Sequence, residues 1–531
     1  MPEPEGRLAR SAGLAGAATF TSRILGLARD QVLAALFGAG NQMDAYVIAF
    51  RIPNLVRDLF AEGAMSAAFV PTFAQQLTVR GKPAAWRLAN SVINALLVTT
   101  FVLVAFGFVF AGPIVTLFAG SFAEVPGKLE LTIRLTRTML PFVTLTALAA
   151  AMMGMLNSLH HYFVPALSPA AFNVAIIGCA LMLGPLMPAF GLPAIVAIAI
   201  GAIAGGIGQI ALQWAPLRRE GFRWQPVLAL SDPGLRRVLI LMGPGTVGLA
   251  ATQVNLLVNT VLATGEGTGA ASWLTYAFRL MYLPIGLFSV SIATAVLPAA
   301  ARHVALGDLQ AVRATVSRGL SLMLIFSIPA TLGLMGLAVP IVRLIFERGA
   351  FLASDTASTA GALQFYAIGL VGYSTARIAS PVFYALNRSH VPVAISVGAI
   401  ALNIATSLVL VRIMGFRGLA LSTAMAALAH GGAALLLLRG ELGGIGERAL
   451  GATAAKVLAA ALVMLGAAVA VERGMTAVLP GDGVVVDIVR VGSAILVGLG
   501  VLALAAKALH IREFTEAIGT LRGRTPYPFS G

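Results

Sequence analysis

The sequence predicts an all-α polytopic membrane protein: about fourteen transmembrane helices in two six-helix lobes, followed by two additional spans. Three observations carry that prediction. The 531 residues are 58% hydrophobic and 11% charged, with mean hydropathy +0.91, against about 25% charged residues in a soluble domain. Apolar runs of the ~18 residues or more needed to cross hydrocarbon as a helix recur along the chain. The loops between them also differ in charge from one side to the other.

Taken in order, the apolar runs and their breaks place helices near 10–37, 42–78, 87–118, 131–157, 163–187 and 192–216 in the first lobe. Those of the second lobe fall near 236–263, 271–301, 315–346, 358–386, 391–411 and 416–438, and the additional pair near 451–471 and 486–508. The corresponding divisions are 1–217, 218–440, 441–510 and a short polar tail, 511–531. The first run follows Arg7 and Arg10 as a signal peptide would, but Arg23 and Arg29 continue the helical pattern, so it is expected to stay as the first span. An even number of spans puts both termini on one side. That side collects Arg80, Lys82, Arg87, Arg218, Arg219, Arg223, Arg302, Arg388, Arg439 and Lys507 among others, whereas the opposite loops hold only Lys128, Arg348, Arg412, Arg417 and Arg473, beside several carboxylates. By the positive-inside rule both termini are cytoplasmic.

A repeat runs through the two lobes. Ala49-Phe50-Arg51 recurs as Ala277-Phe278-Arg279, an offset of 228 (279 − 51), and Val70-Pro71 recurs as Leu297-Pro298 at 227 (298 − 71). Each copy has a proline soon after its arginine, Pro53 and Pro284. The copies run in the same direction, which describes two lobes related by an axis along the membrane normal. This predicts that Arg51 and Arg279 face one another across the lobe interface.

Charge inside apolar sequence marks the candidate site. Arg23, Arg29, Arg51 and Arg57, with Asp30, Asp44, Asp58 and Glu62, lie within the first two segments. A charge in the bilayer centre costs about 3 kcal/mol or more, so such residues are expected to line water and bind something. Guanidinium forks bind phosphate oxygens and stay charged. Asp58 and Glu62 lie one turn apart, and Arg23 and Asp30 two turns apart on one face; the carboxylates are expected to hold the arginines when the site is empty. Pro53 is expected to break the second helix and open a polar path. Arg377, deep in its segment, and Asn255 and Asn259, one turn apart in helix seven, are possible additions. Arg134, Arg137, Arg343 and Arg490 lie near helix ends and read as interfacial anchors.

Several chemistries are excluded or disfavoured. One cysteine, Cys179, permits no intramolecular disulfide, and no His/Cys/acid cluster suggests a metal or cofactor. Basic residues are dispersed without a basic–aromatic run, so nucleic acid is not expected as a partner. Gly243-Pro-Gly-Thr-Val-Gly248 matches a dinucleotide fingerprint literally but opens a membrane helix. An enzyme acting on prenyl phosphates would need clustered carboxylates for Mg²⁺, and the second lobe has none in mid-span.

The motifs Ser22-Arg-Ile-Leu-Gly-Leu-Ala-Arg-Asp30, Met43-Asp-Ala-Tyr46, Phe50-Arg-Ile-Pro-Asn-Leu55 and Leu59-Phe-Ala-Glu-Gly-Ala64, with Tyr276-Ala-Phe-Arg-Leu280 and Leu297-Pro298, resemble those of the lipid II flippase family MurJ/MviN. That family lies within the multidrug/oligosaccharidyl-lipid/polysaccharide exporter superfamily. The resemblance covers essentially the whole chain. It implies a transporter of the bacterial inner membrane that carries undecaprenyl-pyrophosphate-linked disaccharide-pentapeptide to the outer leaflet. It assigns the cationic cavity to Arg23, Arg29, Arg57 and Arg279, with Arg51, Asp44 and Glu62 in the motif, and gives the last two helices an apolar groove for the lipid tail. Membrane lipids are the other partners and a monomer is expected; no motif identifies a coupling ion. Two positions depart from the family pattern: the acid common before the second-signature arginine is Phe278, and the glutamate common three residues after it is Tyr282. The alternative within this class is a flippase for another polyprenyl-pyrophosphate-linked oligosaccharide, of the O-antigen type.

Overall fold

The computed structural model describes residues 5–58, 65–227, 229, 232–481, 483–511 and 514, and among these every regular element is helical. The side chains of 5–13, 15, 65–67 and 242–252 are outside the description. The chain divides into two compact units, one comprising Met1–Ser272 with Arg348–Phe351, the other Trp273–Glu347 with Leu352–Gly531.

In the first unit α1 (Glu5–Phe37) and α2 (Asn41–Arg57) carry the charged motif. Pro53 lies inside α2 without breaking it; the helix continues to Arg57, which corrects the expected break. Proline removes one donor to the preceding turn, and packing of buried Ile48 and Ile52 and of Phe50 against Phe142 and Phe172, ring centroids 5.7 and 6.1 Å away, holds the rest. α3 (Met65–Val109) contains the break expected between the second and third segments: Gly81 has φ 75° and ψ 177°, a conformation that costs glycine little. α4 (Ala111–Ala119), α5 (Lys128–Met139), α6 (Phe142–Ser158), α7 (Phe163–Met182), α8 (Val196–Arg219) and α9 (Pro233–Thr264) complete the unit. α9 runs straight through Gly243–Gly248, so the glycine motif sits in no strand–turn–helix unit. A ladder of rings, Phe69, Phe73, Trp86 and Phe222, each 5.3–5.7 Å from the next, fills the core at the expected cytoplasmic end.

α10 (Ala270–Pro284) begins in the first unit and ends in the second. Pro284 is followed by a wide π-helical turn, Ile285–Ser289, before α11 (Val290–Ala305). A proline with no N–H to give is a natural cause of such a widened turn. The second unit continues with α12 (Leu309–Gly336), α13 (Ala338–Phe346), α14 (Ala353–Ile368), α15 (Leu370–Ala385), α16 (His390–Met414), α17 (Phe416–Leu442), α18 (Glu447–Val478) and α19 (Val484–Ala508). Helices α15 and α17 touch backbone to backbone: a Cβ at Gly431 would lie 2.7 Å from the Gly372 carbonyl oxygen. Small residues at such crossings are how membrane helices gain packing without a hydrophobic driving force. α18 and α19 pack on one another and on the α12–α13 junction through Leu337, Ala468 and Ala494.

Among the described residues ten helical runs are long and apolar enough to cross a membrane, which with the exposed Phe101, Val102, Leu462, Leu496 and Leu504 makes this a multi-pass membrane protein. The sequence predicts fourteen spans. The four segments outside those ten runs, 10–37, 42–78, 236–263 and 358–386, are helical wherever described, apart from turns at Gly369 and Leu386. Segments 10–37 and 42–78 carry several charges, 358–386 is divided at Gly369 into two helices, and 236–263 includes side chains outside the description.

Candidate functional site

The repeated Arg-Asp dipeptides of the motif form two matching chelates. Arg29 donates through Nε and Nη2 to a single oxygen, Oδ1 of Asp30, at 3.1 and 2.9 Å. Arg57 donates in the same way to Asp58 Oδ1 at 3.2 and 2.9 Å, while Asn54 Nδ2 donates to the other oxygen at 3.3 Å. The Arg29–Asp30 pair is buried and the Arg57–Asp58 pair half-buried. Each arginine therefore chelates the carboxylate of its immediate neighbour in sequence. Arg29 also lies 5.9 Å from the Phe172 ring, which Phe50 approaches from α2, so α1, α2 and α7 meet at one aromatic cluster beside the cations.

Arg23 is exposed on α1, and among the described residues it has no ion-pair partner. Arg51 is half-buried on α2, as are Asn255 and Asn259 on α9. Glu62 lies outside the described residues. Counting Arg23, Arg29, Arg51 and Arg57 against Asp30 and Asp58, the described part of the motif keeps two more cations than anions, because Asp44 is matched elsewhere. Such an excess attracts an anion and repels a cation.

Asp44 is fully buried on α2 and meets Lys128, at the start of α5, with Nζ 2.9 Å from Oδ2. The same carboxylate accepts the Gly269 N–H at 2.7 Å, the Ser272 N–H at 3.2 Å and the Ser272 hydroxyl at 2.7 Å. These backbone donors are the first-turn N–H groups of α10, which no intrahelical carbonyl can satisfy. Asp44 thus caps α10 from another helix, where the helix dipole also favours a negative charge. Lys128 lies 4.0 Å from the Phe122 ring centroid. Ser272 follows Asp44 by 228 positions, and Thr268, whose hydroxyl donates to Asn41 Oδ1 at 2.9 Å, follows Asn41 by 227; these are the offsets of the sequence repeat. The sequence places Lys128 only among the loop cations, because its partner is 84 positions away.

In the second unit Arg279 is half-buried on α10. One turn later Tyr282 accepts a hydrogen bond from Arg377 Nη2 of α15 at 2.8 Å, so Arg377 joins the second signature. The only acids between these arginines in sequence are Asp308, Glu347 and Asp355. Asp308 caps α12, Glu347 pairs with Arg343, and Asp355 accepts from Trp273 Nε1 and the Leu352 N–H. Arg343 and Arg490, read from sequence as anchors, both approach Asp487 at 3.8 Å; the Arg343 contact joins α13 to the start of α19, and Arg490 lies one turn along α19 itself.

A cluster at the expected cytoplasmic end ties three loops together. Lys82 Nζ and His161 Nε2 lie 2.8 and 2.9 Å from the two carboxylate oxygens of Glu220. Those bonds, Lys82 first, hold the Glu220 carboxyl below the usual glutamate range. Among the described residues no group of three His, Cys, Asp or Glu side chains is placed to hold a metal ion.

Comparison with known proteins places these residues in context. Residues 33–486 match the family model described as lipid II flippase MurJ. A lipid II flippase MurJ of Burkholderia cenocepacia is 34% identical over 413 residues, covering 77% of this chain and 79% of its own. A probable lipid II flippase MurJ of Rhizobium meliloti is 34% identical over 410 residues, 76% of each chain. A solved structure of lipid II flippase MurJ in an inward closed conformation superposes with a TM-score of 0.75 at 26% identity, covering 93% of this chain and 99% of that one.

Proposed function

Because this chain belongs to the lipid II flippase MurJ family, we infer that it is a lipid II flippase of the bacterial inner membrane, a transporter and not an enzyme. The observation that carries the reading is the family match over residues 33–486, which takes in Arg51, Arg57 and Arg279. Lipid II presents a pyrophosphate, a compact multiple anion. Several guanidinium groups compensate the loss of its hydration in a water-lined site. Arg23, Arg29, Arg51, Arg57 and Arg279 bind that head group. Asp30 and Asp58 hold Arg29 and Arg57 until phosphate replaces them, and this exchange keeps the site from trapping its cargo.

The polyprenyl tail stays in hydrocarbon, since removing it to water is strongly unfavourable. The apolar faces of α18 and α19 support the groove assigned to it. Transport proceeds by alternating access, with both termini cytoplasmic and the protein acting as a monomer without an organic cofactor. Depletion in the host, with lipid-linked precursor assayed by an outer-leaflet probe, tests the function. Outer-leaflet lipid II falls and is restored by the wild type but not by Arg23→Ala or Arg279→Ala. Unchanged exposure in a host lacking another flippase would overturn lipid II as the cargo and shift the reading to another lipid-linked glycan.

A further inference from the structure

Arg377 sits eight residues before the end of α15, about 12 Å along the axis, and reaches sideways to Tyr282 rather than along the helix toward a headgroup. Among the described residues it has no carboxylate partner. The Tyr282 ring is held by neighbours: it stacks on Phe278 at 5.9 Å, and Phe278 meets Tyr366 edge-on at 5.5 Å. Tyr282 is nevertheless 40% exposed, so the hydroxyl that meets Arg377 lies on an open face of the unit. Arg279 is one turn back on the same helix, and residues three apart are neighbours on a helix surface.

The chemistry of the pair depends on the partner being a phenol. A phenol oxygen that accepts from a guanidinium still has its own O–H to donate. Arg377 and Tyr282 together therefore offer an incoming anion only donors, and the guanidinium charge is not cancelled. A carboxylate in the place of Tyr282 would neutralise Arg377 and repel an anion. The two units thus hold their cations differently. An anion reaching Arg29 or Arg57 must displace a carboxylate, whereas one reaching Arg377 gains the hydroxyl as a further donor.

We propose that Arg377 and Tyr282 form a second oxyanion subsite, on the Trp273–Gly531 unit beside Arg279, that takes a phosphate oxygen of a lipid-linked diphosphate. This deepens the flippase reading and rests on it. In the purified full-length protein, with inorganic pyrophosphate as the probe, Tyr282→Glu and Arg377→Gln weaken binding at least tenfold. Tyr282→Phe weakens it a few-fold and Arg377→Lys retains most of it, and all four melt as the wild type does without the probe. If Arg377→Gln does not fold, Tyr282→Glu, a change at an exposed side chain, carries the test. Wild-type binding by Tyr282→Glu and Tyr282→Phe, with binding lost in Arg279→Gln, would overturn the subsite and leave the flippase reading standing. Wild-type lipid II flipping by Arg279→Gln and Arg57→Gln would remove that reading and the subsite with it. Flipping in reconstituted vesicles separates the two sources of phosphate. Slowing by Tyr282→Glu in vesicles of zwitterionic lipid assigns the subsite to the substrate's diphosphate. Slowing confined to vesicles containing anionic phospholipid assigns it to a headgroup and overturns the proposal.

Discussion

Lys128 and Asp44 are nearly inaccessible, with side chains 2% and 1% exposed, so neither charge can turn to water if the other is removed. Breaking such a buried pair costs about 3–5 kcal/mol. Lys128→Met is therefore expected to lower stability by that order, read as a shift in the thermal or denaturant midpoint in detergent. Asp44→Asn introduced with it recovers part of the loss, because the amide oxygen still accepts from α10 and no buried charge remains. A fully recovered single mutant would mean that water reaches Asp44. Arg57 belongs to a different class. It is half-buried, and Arg57→Ala is expected to abolish flipping while leaving the melting temperature within a few degrees of wild type. Both effects were only half legible in sequence. Charges in apolar segments named Asp44 and Arg57, but spacing reveals helical neighbours, and Lys128 comes from another element. Tyr282 was noted only as a departure from a pattern; that its hydroxyl meets Arg377 required the packing of α10 against α15.

At the level of elements, α15 and α17 are held at backbone contact by Gly372 and Gly431. A side chain at Gly372 would overlap the Ala427 carbonyl, which can move only if the helix does. Gly372→Val is expected to cost about 3 kcal/mol, visible as reduced melting temperature and reduced yield of folded protein. Gly398, with open space around its Cβ position, tolerates Gly398→Ala and serves as the control. The loops around Glu220 make a weaker joint. The folded carboxyl lies below its ordinary value near 4.3, so its contribution is present above that value and is lost as pH falls through the folded value. Lys82 and His161 are about half exposed, so the contribution is at most about 1 kcal/mol. The wild-type melting temperature should exceed that of Glu220→Gln at neutral pH and converge on it as pH falls through the lowered range of the folded carboxyl. Helix positions are readable from apolar run length; the interruption at Pro141 is not. Hydropathy sums over 18 residues pass smoothly across a break of one or two, and only backbone hydrogen bonding registers it.

For the whole molecule, the sequence asymmetry of loop charge leads to a topology that labelling can check. With Cys179 replaced by serine, Thr268→Cys should react with a membrane-impermeant thiol reagent added outside, and Ser389→Cys only after the membrane is permeabilised. The reverse pattern would invert the protein. The helical membrane class and the family follow from composition and from a long charged motif. Grouping into compact units is less visible in a linear pattern: α9 lies with the Met1–Ser272 unit, because Ser121 donates to the Thr264 carbonyl at 2.8 Å and Arg237 Nη1 to Gln75 Oε1 at 2.8 Å, contacts that hydropathy does not encode.

The cap on α10 has a mechanical meaning. Asp44 grips the helix at Gly269 and Ser272, and Arg279 and Tyr282 ride the same rod about 10–20 Å further on, at ~1.5 Å per residue. The helix fixes their angular relation to the cap: one residue inserted between them turns everything beyond by about 100°. The cap and the arginine are therefore set in phase by the number of residues between them, like two cams keyed to one axle.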